Sequence, residues 1–322
     1  MRFLLTPEQE AFGEALDALL GAADTPAAAR AWGAGQTGPG LALWSRLAAA
    51  GLFVPAVPEE HGGAGLLPVD LAVAFTALGR HAVPGPLVET AAAAVLLAGA
   101  ECPAVARRLL PGLLAGDPYT LVLAGEGPYA LDADTAAVLV VEEDGPLLRL
   151  APGGGAVRVS QDPVRRLARP LDGGELLAGG PGVRAAAARA ARMARLLTAA
   201  QALGVGLALL DRTVAYVKER RQFGVPVGSF QAVGHRLADT LIALEFARAL
   251  VFGAAVTFDA GDVAAAKVRA GEAAYGAARA ALQFHGAIGY TAELDLSLWL
   301  RKARPLRDAW GTPATCRATL LP

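Results

Sequence analysis

The chain has 322 residues, 29 of them basic and 30 acidic, for a net charge of −1; this balance gives no reason to expect nucleic acid or an anionic lipid surface as a partner. Its length exceeds one ordinary core and implies two or three domains. Hydrophobic residues make up 54% and mean hydropathy is +0.41, but alanine carries much of that. The uncharged run Leu196–Leu210 contains Thr198, Gln201 and two glycines and is shorter than the roughly 20 apolar residues that span a bilayer.

Arg2 is followed by three apolar residues and then Thr6-Pro7. Neither a secretory leader nor a membrane span is expected, and a cytoplasmic location follows. Cys102 and Cys316 are far apart and belong to no CxxC pattern, so two buried thiols are expected rather than a disulfide or a metal pair.

From Thr6 to about Ala115 the pattern is helical. "TPEQEAFGEALDALLGAA" opens with an N-cap threonine and a proline in the first turn. "LALWSRLAAAGLF" and "LPVDLAVAFTALGRHAV" keep the helical period on either side of "VPEEHGGAG". Between Tyr119 and about Gly180 the texture changes to short Val- and Leu-rich runs, "YTLVLAG", "AAVLVVEED", "LLRLAPGGG" and "AVRVSQD". They predict a small antiparallel β unit in which Gly153-Gly154-Gly155 forms a hairpin loop. After Pro181 the chain is helical again. "FQAVGHRLADTLIAL" places Phe230, Val233, Leu237, Leu241 and Leu244 on one stripe, as a bundle helix requires. The expected organisation is an N-terminal helical domain (1–117), a reduced middle β domain (118–181) and a C-terminal helical bundle (182–322).

Several chemical motifs fail. Gly204-Val205-Gly206 lies inside a helical pattern with no preceding strand, so it is not a dinucleotide fingerprint. There is no phosphate-binding GxxxxGK[ST], and His61, His81, His235 and His285 show no metal-ligand spacing. No metal site is expected.

Two stretches are far more specific: "YVKERRQFGVPVGSFQAVGHRLAD" (Tyr216–Asp239) and "ALQFHGAIGYTAELDLSLWLRKARPLRDAWGTP" (Ala281–Pro313). Arg220 offers a planar fork of donors suited to pyrophosphate. Phe223 adds a flat apolar surface at the end of the same helix, and Gln231 an amide further along. Gln283, followed by Gly286 and Gly289, sets a hydrogen-bonding side chain beside backbone that a ligand can approach closely.

Both stretches resemble the C-terminal bundle of the acyl-CoA dehydrogenase family, the first carrying its R-x-x-F-G and F-Q pattern and the second its Q-x-x-G-x-x-G-Y pattern. "VPEEHGGAG" and "RRLLPGLLAGDPYTLVLA" resemble its N-terminal half. The resemblance implies the family's mostly helical fold with a small middle β domain. It also implies that Arg220, Phe223, Gln231, Gln283, Gly286 and Thr312 contact an FAD belonging mainly to a neighbouring subunit. The family's cis flavin segments, a T-E-P-x-A-G-S-D-like run and a W-I-[TS]-like strand, have no counterpart in "EGPYALDADTAAVLVVEEDG".

The catalytic base departs too. In most of the family it is a glutamate immediately before Gly-Thr. Here, counting without gaps from Tyr290 through Arg301 to Gly311-Thr312, that position is Trp310. An indole N–H only donates and cannot take a proton at neutral pH. The alternative family position, on the first long C-terminal helix, falls on Ala194. No catalytic residue is therefore assigned to this chain.

Retention of the trans half of a flavin site beside loss of the cis half implies a subunit of a hetero-oligomeric acyl-CoA dehydrogenase. Its partner would be a larger subunit carrying the glutamate, and its substrate an acyl-CoA, with a steroid side chain fitting the resemblance. A self-sufficient flavoprotein of altered chemistry, like a flavin monooxygenase, and a non-enzymatic scaffold are the alternatives.

Overall fold

A computed structural model describes residues 4–142, 145–158 and 160–320. The α-helices are α1 (Pro7–Gly21), α2 (Thr25–Gly33), α3 (Gly38–Ala49), α4 (Pro68–Arg80), α5 (Leu87–Gly99), α6 (Pro103–Ala115), α7 (Pro181–Glu219), α8 (Gln231–Thr257), α9 (Ala260–His285), α10 (Leu296–Asp308) and α11 (Pro313–Leu320). The strands are β1 (Tyr119–Leu123), β2 (Ala130–Leu131), β3 (Ala137–Val141), β4 (Leu147–Ala151), β5 (Leu167–Ala168), β6 (Glu175–Gly179), β7 (Arg221–Gln222) and β8 (Val225–Pro226). The mostly helical fold with little sheet is the one expected.

Two compact units divide the chain. One holds residues up to Pro26, Ala72–Ala82 and everything from Thr198 on; the other holds Ala27–Leu71 and Val83–Leu197. In the first unit the bundle is built on small residues. A Cβ on Gly204 would lie 2.0 Å from the carbonyl oxygen of Thr76, and one on Gly79 2.1 Å from that of Gln201. Helices α4 and α7 therefore meet backbone to backbone. A Cβ on Gly206 would strike Leu244 at 2.5 Å, so Gly204 and Gly206 are packing glycines. The start of α1 follows the sequence pattern: Thr6 and Gln9 form a reciprocal capping box with Pro7 in the first turn.

The second unit contains a four-stranded sheet of order β1-β3-β4-β6. The antiparallel expectation holds for β3/β4 and β4/β6 but fails for β1/β3, which run parallel in register Tyr119↔Ala137. Residues 124–136 between them are long enough for the crossover that parallel pairing needs. The glycine run is not a hairpin loop either. Gly154 bridges to Pro170 and Arg158 to Leu167, so the described residues of "AVRVSQD" contribute one bridge rather than a strand, and β6 closes the sheet edge. Cys102 and Cys316 are not joined in a disulfide; Cys316 is buried and Cys102 half-buried.

Helices α7 and α8 are both long and apolar by composition, but the apolar window of α7 is 94% buried and that of α8 33%. The buried side of α8 is Val233, Thr240, Leu244, Ala247, Val251, Ala254 and Ala255. The predicted stripe is one face off: Val233 and Leu244 are buried, whereas Phe230 precedes the helix and Leu241 is exposed. A second apolar face of Leu241, Ile242, Phe246, Leu250 and Val256 is exposed, and it displaced the sequence-derived register because both faces are apolar.

Candidate functional site

The R-x-x-F-G segment begins where α7 ends. Arg220 follows Glu219, the last helical residue, and the chain turns back as a two-stranded ribbon, Arg221↔Pro226 and Gln222↔Val225. Phe223 and Gly224 form the tight turn, both at positive φ (54° and 81°), as a right-twisted hairpin favours. Phe223 is thus at a hairpin tip rather than on the helix, and is 92% exposed. A phenylalanine in left-handed backbone stores roughly 1–3 kcal/mol of strain, an outlier that points toward function. Its ring meets that of Phe230 edge-on at 6.3 Å, beside Gln231 at the start of α8.

Arg220 is exposed, and its Nη1 donates to the Tyr216 hydroxyl at 2.7 Å. One turn back on α7, the Tyr216 ring stacks on His285 at 4.1 Å and 17°. His285 is buried in the last turn of α9, its Nδ1 2.8 Å from the Ala281 carbonyl, and burial lowers its pKa below the ordinary imidazole value. The uncharged ring stacks on the phenol without a charge to solvate. Arg220 is joined in this way to the helix end that carries Gln283 and Gly286, both exposed. Gly286 caps α9 at φ +61° with open space where a Cβ would stand. Gly289 is buried; a Cβ there would press on Leu282 and His285 at 3.1 and 3.2 Å. Tyr216 and His285 were missed in the sequence, although Tyr216 lies four residues before Arg220 and His285 two after Gln283.

Thr312 sits apart from this cluster. Its hydroxyl accepts from the Thr315 backbone N–H at 3.1 Å at the start of α11 and lies 2.9 Å from the Thr315 hydroxyl. The preceding turn is held from α9 by Lys267, which is 1% exposed and donates to the carbonyls of Leu306, Arg307 and Gly311 at 3.0, 2.9 and 3.2 Å. Lys267 and Gln283 are separated by about 24 Å along α9 at a rise of ~1.5 Å per residue, so the turn of Trp310 and the Arg220 cluster meet α9 at points far apart along it. Trp310 is half-buried with φ +54°, not the fully packed side chain its bulk suggests.

Ala194 is fully buried in α7. Its neighbour Arg195 forms an ion pair with Glu126, both largely buried, and Glu126 follows β1 closely. Glu126 is the carboxylate that contacts the residue next to that position; nothing in the local sequence signals it.

A donor fork, an exposed aromatic in strained backbone, an exposed amide and an open glycine on one unit suit an anionic ligand with a flat apolar portion. The chain is similar to known proteins over most of its length. The description "Acyl-CoA dehydrogenase, N-terminal domain" matches residues 6–117 and "Acyl-CoA dehydrogenase, C-terminal domain" matches residues 180–320. Acyl-CoA dehydrogenase IpdE2 of Mycobacterium tuberculosis is 36% identical over 304 residues, covering 93% of this chain and 92% of its own. The chain belongs to the acyl-CoA dehydrogenase family. Among solved structures, the Tcur3481-Tcur3483 steroid ACAD superposes with TM-score 0.84 at 28% identity, covering 97% of this chain and 96% of that one. PigA with FAD and proline gives TM-score 0.88 at 21% identity over 99% and 98%.

Proposed function

We propose that this acyl-CoA dehydrogenase-family chain is the half-site subunit of a hetero-oligomeric, FAD-dependent acyl-CoA dehydrogenase. Arg220, Phe223, Gln231, Gln283 and Gly286 hold the pyrophosphate and adenine end of a flavin whose remaining contacts come from a larger subunit; Thr312 is a separate contact beside Trp310. The FAD, when bound, supplies the hydride acceptor. The guanidinium of Arg220, oriented by Tyr216, faces the phosphate charge, and Phe223 offers its exposed ring to the flat portion.

One observation carries the reading: Arg220, Phe223, Gln283 and Gly286 are all exposed, while an indole precedes Gly311-Thr312 and a buried alanine stands at position 194. Removing a proton next to a thioester needs a base within hydrogen-bond reach. The partner is proposed to bring that glutamate. The exposed apolar face of α8, too large to be indifferent to water, supports a multi-subunit assembly. The name of the Tcur3481-Tcur3483 steroid ACAD joins two proteins, which supports both a partner subunit and a steroid-derived acyl-CoA; a cytoplasmic location belongs to the same proposal.

Purified alone, the chain should be colourless and become flavin-loaded only when co-expressed with a full-length family member. Stoichiometric flavin absorbance from this chain by itself would sink the half-site reading.

A second reading is favoured by Glu126, a carboxylate bound to Arg195 next to position 194. A self-sufficient flavoprotein of altered chemistry would put it to use. The isolated chain decides between them: flavin-dependent turnover without a partner, lost a hundredfold or more in Glu126→Gln, moves the chemistry to this chain, and no turnover without the partner leaves the base with the partner.

A further inference from the structure

The middle of the chain holds a cluster that the flavin half-site does not use. Tyr129 immediately precedes β2, and β2 pairs with β5 in the register Ala130↔Ala168, which brings Tyr129 opposite Arg169. On the other side of β5, Arg158 bridges to Leu167. Three neighbouring stretches of backbone thus deliver two arginines to one phenol ring. The guanidinium carbon of Arg158 lies 5.5 Å from the Tyr129 ring centroid and that of Arg169 5.3 Å.

Tyr129 is half-buried and both arginines are exposed. Among the described residues neither arginine has a carboxylate within ion-pair distance, unlike Arg166 nearby, which is bound to Asp134. The one acidic residue between them in sequence, Asp162, is buried. Each cation gains from the ring face, but the two repel each other with no counter-charge in place. Planar forks of donors on a fixed aromatic support match a tetrahedral anion.

We propose that Arg158, Tyr129 and Arg169 form a second anion site, one for a phosphate group carried by a soluble small molecule. It goes beyond the flavin reading and does not depend on it, since Arg220 belongs to the other compact unit. Both arginines present donors and positive charge, so the site selects the phosphate of such a molecule.

The test is calorimetric titration of inorganic pyrophosphate into the full chain at low salt, in the Arg220→Ala background so that the half-site is silent. Pyrophosphate should still bind, and Arg158→Gln with Arg169→Gln should weaken it by tenfold or more, as expected for charge-assisted bonds. Equal affinity with and without the two substitutions overturns the proposal. Should the double variant fold poorly, phenylglyoxal labelling of the otherwise unaltered chain replaces it. Pyrophosphate must then protect Arg158 and Arg169 from modification in the peptide map, and labelling that ignores pyrophosphate overturns the site. Phosphatidylglycerol vesicles form the last arm: Arg158-dependent sedimentation with them would overturn the assignment to a soluble ligand.

Discussion

The ammonium of Lys267 lies 3.2 Å from the carbonyl oxygen of Gly311, so a buried cation on α9 fixes the turn in which Trp310 and Thr312 stand. Two further carbonyls at the end of α10, those of Leu306 and Arg307, are held by the same nitrogen. These are the acceptors a helix leaves unsatisfied at its C-terminus, where a cation is also favoured by the dipole. Lys267→Met keeps the volume and removes all three donors from a buried site. Stability should fall by about 2–4 kcal/mol, read as a lower urea midpoint with an unchanged slope.

Tyr216→Phe separates the two roles of that ring. The stack on His285 survives and the acceptor for Arg220 Nη1 is lost. The lost hydrogen bond is exposed, so this should change stability by less than about 1 kcal/mol, while the reconstituted complex releases flavin several-fold faster. Tyr216→Leu, which abolishes the stack as well, should do more. Equal release rates for the parent and the Phe variant would show that Arg220 needs no support from the phenol.

Much of this architecture was legible in the sequence, because helices announce themselves by period and caps. The Thr6-Pro7 start of α1 and the Q-x-x-G-x-x-G-Y run that begins in the last turn of α9 needed no coordinates. Other features were hidden for identifiable reasons. The parallel β1/β3 pair depends on which strand the crossover meets, and strand patterns are silent on that. The register of α8 was misread because Ile242 and Phe246 are as apolar as Leu244. Tyr216, His285 and Lys267 act through contacts made across helices, which no local spacing encodes.

Asp132 should make stability depend on pH. It is fully buried; one carboxylate oxygen accepts from Trp32 Nε1 at 2.9 Å, and the other has no partner. Burial pushes its pKa up to about 7, the hydrogen bond from Trp32 pulls it down, nearby Glu89 raises it, and Arg166 and Arg165 lower it. The folded state therefore holds this proton more tightly than the unfolded chain, whose carboxyl titrates near 4. Its contribution is fully present below about pH 4, is lost as pH rises to about 7, and is constant above that. The Asp132→Asn variant keeps an acceptor for Trp32 and cannot titrate. Melting temperatures taken from pH 4 to 8 should fall more steeply with pH for the parent than for the variant; parallel curves would exclude the effect.

The outward face of α8 should matter only in the assembly. Ile242 and Phe246 are 53% and 63% exposed in the single chain. The change Ile242→Glu with Phe246→Glu should therefore leave its folding within roughly 0.5 kcal/mol per site, as for ordinary surface positions. In the co-expressed complex the same pair would bury two charges in an apolar contact. Light scattering should then report free subunits where the parent gives an oligomer; an intact oligomer would place the interface elsewhere.

Trp310 and Arg220 should separate stability from cofactor binding. The indole is half-buried on left-handed backbone, so Trp310→Ala should cost about 1–2 kcal/mol, less than the roughly 3–5 kcal/mol of a buried aromatic. Trp310→Gly loses the same ring but relieves the backbone strain, and should recover roughly 1 kcal/mol of that loss. Flavin retention should stay nearly untouched, because the Thr312 hydroxyl is held by Thr315 and Arg220 and Gln283 are remote from the turn that Lys267 holds. Arg220→Ala should do the reverse. An exposed arginine contributes little to folding, whereas a charge-assisted bond to phosphate contributes about 1.5–3 kcal/mol, so retention should drop by about one to two orders of magnitude at ~1.4 kcal/mol per tenfold. Flavin release from complexes of each variant, measured side by side with their melting temperatures, reads both effects. If Trp310→Ala loses flavin and Arg220→Ala loses only stability, the indole lines a working site and the chain is not the half-site partner.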